Sequence, residues 1–354
     1  MVIALGKVDY SPAVALRFAV SSPQAFANGV LIYSPISPDA MLRLSPVEKN
    51  NLLRAWLDVA RKESAEVVGL GAYSSVISRG GELIQEETQD LTLTTGNSLT
   101  AITATEMILD NAHNDLIGQR VVVIGARGAV GQLIVSELAH HGDTLELLGR
   151  PGTESALHQE LVEHLCRLAI STQHPYQKGS LIDQIRQIND ARAPQDAPIT
   201  TQVIQTLSSL SVSNNSDNSL SRADFVVTAT SEGKPFLHSD QLKAGAIAID
   251  VARPFDFIAS ERAQAEVLEG GLMHQPNLCV YGDSNLSGTE PGVNLACLSE
   301  TLVLALNQSS GQFSIGKSLN YEQAKDLQTM AQRHGFHPLL SSHGTQPHSS
   351  GRPD

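Results

Sequence analysis

"QRVVVIGARGAVGQLIVSELAHHGDTLELLGR", residues 119–150, holds an apolar strand, a glycine turn, an apolar-periodic helix and a second strand. About thirty residues is the length of one strand–helix–strand unit with parallel strands. Gly125, Gly128 and Gly131 form G-x-x-G-x-x-G directly after "VVVI". Glycines suit the tight turn, let the backbone approach a pyrophosphate, and bring the helix close to the strand. The phosphates then lie at the helix N-terminus, where free amides and the dipole favour anions. The stretch Gly125, Ala126, Arg127, Gly128, Ala129, Val130, Gly131 is therefore the candidate dinucleotide site. Its plainer alternative is a glycine turn with a purely structural role.

The second strand, "TLELLGR", ends at Gly149 and Arg150. An NADH site usually has Asp or Glu at that strand end, accepting from the ribose 2′-hydroxyl. Arg150, with no carboxylate beside it in sequence, suits a 2′-phosphate through a charge-assisted fork. The expected cofactor is NADPH, with Arg127 as a second phosphate contact; the alternative is a solvated surface arginine. Further along, "ADFVVTAT" (223–230) and "AGAIAIDVA" (244–252) are apolar strands ending in small residues. Strands alternating with helices imply an α/β fold, a Rossmann-type doubly wound parallel sheet. Ligands sit outside the carboxyl ends of such strands, which places Thr230, Ser231 and Asp250 at the cofactor's edge. Asp250 could equally cap a turn.

At 354 residues the chain exceeds the usual size of one core, so two domains are expected. With 41% apolar and 17% charged residues it has the composition of an ordinary globular protein. A formal charge of -13 argues against nucleic acid or an anionic membrane as the main partner. Cys166, Cys279 and Cys297 are widely separated, odd in number and without a CxxC, which fits a reducing cytoplasm and no metal site. The N-terminus lacks a signal-peptide pattern, and no stretch approaches the ~18 apolar residues of an integral membrane segment. Cytoplasmic localisation is the expectation.

Around the central unit, "ALRFAV" (15–20) and "GVLIYSP" (29–35) read as strands. Residues 45–62 read as a helix capped by Ser45 before Pro46, and "AEVVGLGAYSS" as a strand. "TGNSLTAITATEMILDNA" reads as a loop opening a helix. Residues 207–221 hold seven Ser and three Asn, the composition of a flexible surface insertion. The tail 341–354 has a similar character, that of a disordered end or a linker.

"VNLACLSETLVLAL" (293–306) is an apolar helix with one cysteine in it. Free cysteine is often a small core residue. At about 100° per residue, however, Leu295, Leu298, Leu302 and Leu306 form one stripe, and Cys297 falls opposite it beside Glu300 and Leu304. A start at Pro291 would put Cys297 too deep for help from the helix dipole; a start after Asn294 would put it in the first turn. Glu300 at i+3 would oppose a thiolate, yet could act as a base or hold a basic partner. His334 and His337 lack metal-ligand company, Cys166 reads as packing, and Cys279 has no evident role.

The chain resembles the aldehyde-forming long-chain acyl-[acyl-carrier-protein] reductases of cyanobacteria across roughly residues 25–340. The resemblance is carried by "GLGAYSSVI" (69–77), "TTGNSLTA" (94–101), the glycine motif with "LLGR", "ADFVVTATS" (223–231), "LEGG" (268–271), "ACLSE" (296–300) and "HGFHPLL" (334–340). It implies an NADPH-binding Rossmann domain, related in layout to shikimate dehydrogenase and glutamyl-tRNA reductase, and a cysteine that takes the acyl group as an enzyme thioester. Hydride then releases a fatty aldehyde. The matching residue is Cys297. The Ser/Asn-rich stretch has no counterpart in that family, and "GTEPGVN" differs from its more apolar approach to the cysteine. Similar modules occur fused to aminotransferases, which gives the polar tail a linker role.

The expected organisation is an N-terminal part of a substrate domain (1–112), an NADPH-binding Rossmann domain (113–286), and C-terminal helices with the cysteine returning to a second α/β substrate domain (287–340). The expected reaction is NADPH-dependent reduction of an acyl thioester, carried by acyl carrier protein or CoA. Cys297 is the nucleophile; Asn97, Thr95 and Glu300 support it. Asn97 could present its amide to the thioester carbonyl or the nicotinamide, or merely cap a helix. An acidic carrier would need a basic patch, and the helix bearing Arg54, Arg61 and Lys62 is a candidate. The alternatives are a shikimate-dehydrogenase-like oxidoreductase for a small hydroxy acid, with Cys297 structural, and a non-catalytic nucleotide-binding module that supports a partner enzyme.

Overall fold

Val121–Ile124 (β1) is apolar throughout and fully buried, as a strand covered on both faces must be. Gly125 ends it, and the helix Ala129–His141 (α1) leads to Leu145–Leu148 (β2). Leu210–Ser213 (β3), Phe225–Thr228 (β4), Ile247–Asp250 (β5) and Glu266–Glu269 (β6) complete a six-stranded sheet in the order β3-β2-β1-β4-β5-β6. Every pairing is parallel, with Val121 beside Leu145 on one side and Phe225 on the other. The strand order reverses between β1 and β4, the switch point at which Rossmann-type sheets bind dinucleotides. The α/β, Rossmann-like class read from residues 119–150 is the class observed.

The computed structural model describes residues 11–193, 196–277, 280–281, 284–285 and 288–340. The chain divides into two compact units. Among the described residues, one comprises 11–97, 273–317 and 326–337; the other comprises 98–272, 318–325 and 338–340. The boundaries therefore differ from 112 and 286. The helix Asn97–Asn111 goes with the sheet unit from Ser98 onward, because Ile102, Ala104, Met107 and Ile108 share one core with Val121, Val123 and Leu133.

The stretch 207–221 is a correction. It carries β3, paired with β2, and the short helix Ser216–Leu220, with Leu220 fully buried. Its serines and asparagines have specific work: Asn215 accepts from the Asn218 amide as an N-cap, and Ser219 donates to Glu146. An edge strand with one neighbour needs few apolar residues, so composition misled here. The tail 341–354 and Cys279 lie outside the described residues.

In the first unit, Val67–Gly69, Thr92–Thr94 and Gln312–Phe313 form a parallel three-stranded sheet with Thr92–Thr94 central. The helix Pro46–Lys62 closes the core beside it through Leu52, Leu53 and Leu57, packed with Ile77, Ile84 and Leu93. Its start is the expected one: Ser45 accepts from the Glu48 amide, and Glu48 returns a bond to the Ser45 amide. The two N-terminal strands also form, as the antiparallel pair Ala13–Ser21 and Phe26–Tyr33.

Candidate active site

The cysteine helix runs Ala296–Leu306, with Leu295 at the N-cap and no side-chain cap. Pro291 is outside it, so Cys297 is the second helical residue, in the turn where amides lack intrahelical partners. Its side chain is half-buried. The leucine stripe does not separate a buried face from an open one, contrary to the periodicity reading. Ser299, Glu300, Val303 and Leu304 are buried as well, whereas Leu295 and Leu298 are only partly so. The helix is covered on both sides; on one of them Thr301 meets Gly69 so closely that a Cβ there would lie 2.0 Å from the hydroxyl.

What distinguishes Cys297 is the turn over it. Gly96, buried and at φ +74, lies against Cys297; a Cβ at position 96 would come 2.4 Å from the Cys297 Cα. The Thr94–Asn97 segment is thereby brought to the cysteine helix. Asn97 opens the helix Asn97–Asn111 and is half-buried. Thr95 is buried, and its hydroxyl donates to the Ser314 carbonyl, tying the turn to the residue that follows the strand Gln312–Phe313. Glu300 is wholly buried; its Oε1 accepts from the Thr94 hydroxyl and, at 2.6 Å, from the Ser314 hydroxyl. The Thr94 hydroxyl also accepts from the Gly96 amide at 3.0 Å. Thr94 and Ser314 were not legible as site residues, since threonine in a strand and serine in a loop carry no spacing signal.

In the sheet unit, the glycine turn has the construction its motif requires. Gly125 is at φ +87, and a Cβ on it would lie 2.6 Å from the Ala229 carbonyl oxygen. A Cβ on Gly131 would lie 2.2 Å from the Gly125 oxygen, so the helix start and the strand end are in backbone contact. Gly128 is the N-cap of α1 without a side-chain cap, and a Cβ there would meet nothing nearer than 3.5 Å. At the first turn of this 13-residue helix Gly128 is exposed, Ala129 and Val130 are half-buried against the core, and Ala126 is buried in it.

Both arginines assigned to a phosphate are ion-paired. Arg150 donates to Glu232 at 2.8 Å, and Arg127 to Glu160 at 2.8 Å. Ser231 is exposed. Thr230 adjoins Gly125 and donates to Asp256 at 2.7 Å. Asp250 is buried and accepts four bonds, from the Thr228 hydroxyl and the amides of Ala252, Asp256 and Phe257. Its carboxylate organises the loop after β5, the turn-capping alternative. Burial pushes both Asp250 and Asp256 above the usual carboxylate range. Asp256 stands six residues after Asp250 in a Pro-containing loop, and nothing in the sequence marked it.

The other candidates have structural roles. Cys166 is buried in the sheet-unit core, where burial pushes its thiol up to about 11. His334 is buried with Nδ1 2.9 Å from the Ser22 hydroxyl, and His337 is exposed. The proposed basic patch is largely neutralised: Arg54 forms a fork on Glu87, and Arg61 one on Asp90. Among the described residues no group of His, Cys, Asp and Glu could hold a metal ion, and no helix is long and apolar enough to cross a membrane.

No family model matches the chain. It is 25% identical over 329 residues to aminotransferase PigE of Serratia sp. (strain ATCC 39006), a match covering 91% of this chain and 34% of that protein. The chain therefore spans about a third of the length of that curated relative. Among solved structures, the nucleotide-binding domain of glutamyl-tRNA reductase from Thermoplasma volcanium is similar at 13% identity and a TM-score of 0.25, over 46% of this chain and 84% of that one. A diketoreductase is similar at 12% identity and a TM-score of 0.23, over 43% of this chain and 64% of that one.

Proposed function

We propose that the protein is an NADPH-dependent acyl-thioester reductase that forms an aldehyde through a covalent acyl-cysteine. The observation that carries this reading is the placement of Cys297: a half-buried cysteine in the first turn of a helix, packed against the Gly96 turn. Helix N-terminal amides favour negative charge, which suits both a thiolate and the oxyanion of acyl transfer. Asn97, on the same segment as Gly96, has an amide to offer that oxyanion.

In this reading the first unit performs acyl transfer. The sulfur bonds to the thioester carbonyl carbon, and the CoA or carrier thiol leaves with a proton. The sheet unit would hold the dinucleotide, with the amides at Gly128, Ala129 and Val130 at the helix start available to its pyrophosphate. Arg150 serves the 2′-phosphate, since an exposed ion pair with Glu232 is weak enough to exchange for a phosphate. When bound, NADPH would supply the hydride that reduces the acyl-cysteine, and Cys297 would be released as free thiol when the aldehyde leaves. The neutralised Arg54 and Arg61 favour recognition through the acyl-thioester arm over docking of an acidic carrier on that helix.

The match to an aminotransferase is compatible with the same chemistry, because aminotransferases aminate carbonyl compounds and an aldehyde is one such acceptor. A fused or separate aminotransferase is accordingly the proposed partner. The test is NADPH oxidation with acyl-CoA substrates of graded chain length, with the aldehyde trapped as a hydrazone. One aldehyde per NADPH consumed is expected. Binding of NADPH with no consumption on any acyl thioester would point instead to a nucleotide-binding module without this activity.

A further inference from the structure

Glu300 is the one acidic side chain on the cysteine helix, one turn from Cys297, and it is completely buried. Burying a carboxylate is costly unless hydrogen bonds compensate it. Here two hydroxyls, Thr94 and Ser314, converge on a single oxygen, Oε1. They come from separate segments: the end of the central strand Thr92–Thr94 and the residue after Gln312–Phe313. The same hydroxyls are locked in turn. Thr94 accepts from the Gly96 amide, and the Ser314 carbonyl accepts from Thr95. With Oε1 pinned from two sides, the plane of the carboxylate and the direction of Oε2 are fixed as well. On a helix, residues three apart have Cβ atoms about 5–6 Å from each other, so Glu300 and Cys297 are neighbours on the helix surface.

We infer that Thr94 and Ser314 are positioning residues that hold Glu300 as the proton acceptor for Cys297. This rests on the reading of Cys297 as the acyl acceptor. An unperturbed thiol is only a few per cent ionised at neutral pH, so an attacking cysteine needs a base. As sulfur bonds to the carbonyl carbon, the S–H proton passes to the Glu300 carboxylate. As the carbon–sulfur bond to the carrier breaks, that proton passes to the departing thiolate, and Glu300 returns to its starting form. No proton is gained or lost over the transfer.

The test is alkylation of Cys297 by iodoacetamide, followed by peptide mass spectrometry from pH 6 to 10, with thermal melts beside it; it needs neither acyl substrate nor NADPH. Thr94→Val and Ser314→Ala are each expected to slow alkylation at neutral pH by about tenfold, and Glu300→Gln by at least as much. Thr94→Ser should restore the rate, and Thr94→Val on Glu300→Gln should slow it no further. If Thr94→Val does not fold, Ser314→Ala alone and on Glu300→Gln gives the same two comparisons. Wild-type alkylation profiles in the hydroxyl variants, with only the melting temperature lowered, would overturn the assignment, as would multiplicative effects of the hydroxyl and Glu300 substitutions. An acyl adduct forming equally fast in wild type and the hydroxyl variants would sink this inference while leaving Cys297 as acceptor. Absence of any adduct in wild type would sink the acceptor reading itself.

Discussion

Gly96 and Cys297 are in direct backbone contact: a Cβ at position 96 would stand 2.4 Å from both the Cα and the carbonyl oxygen of Cys297. Gly96 is also at φ +74, where side chains other than hydrogen are strained. Gly96→Ala is therefore expected to push the turn off the cysteine helix and to cost about 2–4 kcal/mol, read from urea unfolding. Stability within 0.5 kcal/mol of wild type, as a rough threshold, would mean the two segments are not packed as described.

The three glycines of the nucleotide turn should separate by severity. Gly131→Ala drives a methyl into the Gly125 carbonyl and should abolish NADPH binding together with part of the unit's stability. Gly128→Ala has room, since its Cβ meets nothing closer than 3.5 Å. It should fold normally and weaken NADPH by roughly tenfold, because the methyl occupies the space a pyrophosphate approaches. Fluorescence titration of NADPH checks both. Equal losses in the two variants would contradict the phosphate placement.

Arg150 is paired with Glu232, and that pair should govern cofactor choice. Glu232→Gln releases the guanidinium and is expected to tighten NADPH by a few-fold with no change for NADH, whereas Arg150→Ala should erase the preference. Parallel titrations with the two nucleotides decide it. An unchanged NADPH to NADH ratio in Arg150→Ala would assign the arginine to the surface alone.

Stability should fall with mild acid. His140 and His164 are pushed down to about 4, chiefly by burial. An unfolded histidine titrates near 6.5, so between pH 6.5 and 4 the unfolded chain binds protons that the folded chain refuses. Their full contribution is present above about pH 6.5 and is lost as pH drops through that window, by up to about 3 kcal/mol each. Glu137, held down to about 2 by His141, Lys325 and Tyr321 against the cost of its burial, adds a further loss below its unfolded value near 4.5. Asp250 and Asp256 act oppositely, since raised carboxyls lose stability as pH climbs above the unfolded range. Urea midpoints at pH 7.5, 6 and 5 test the histidine part. His164→Gln should flatten the slope, and a wild-type slope of zero across the window would refute it.

Legibility in the sequence followed periodicity and glycine chemistry. Residues 119–150 declared the sheet and its turn because strand, helix and glycine signals there are local and agree. The Ser45 cap was equally local. What failed was composition taken as structure: the Ser/Asn-rich 207–221 folds because an edge strand and a capped turn need few apolar groups. The leucine stripe also misled, since a helix covered on two sides has no single buried face. The link from Glu300 to Thr94 and Ser314 was beyond reach, because it joins residues 206 and 14 positions apart through tertiary contacts.

The most direct test of the central claim is intact-mass spectrometry of the protein incubated with an acyl-CoA and no NADPH. A single acyl adduct is expected on the wild type, absent from Cys297→Ala and discharged as aldehyde when NADPH is added. An adduct that persists in Cys297→Ala, or aldehyde formation by that variant at the wild-type rate, would contradict the assignment of Cys297 as the acyl acceptor.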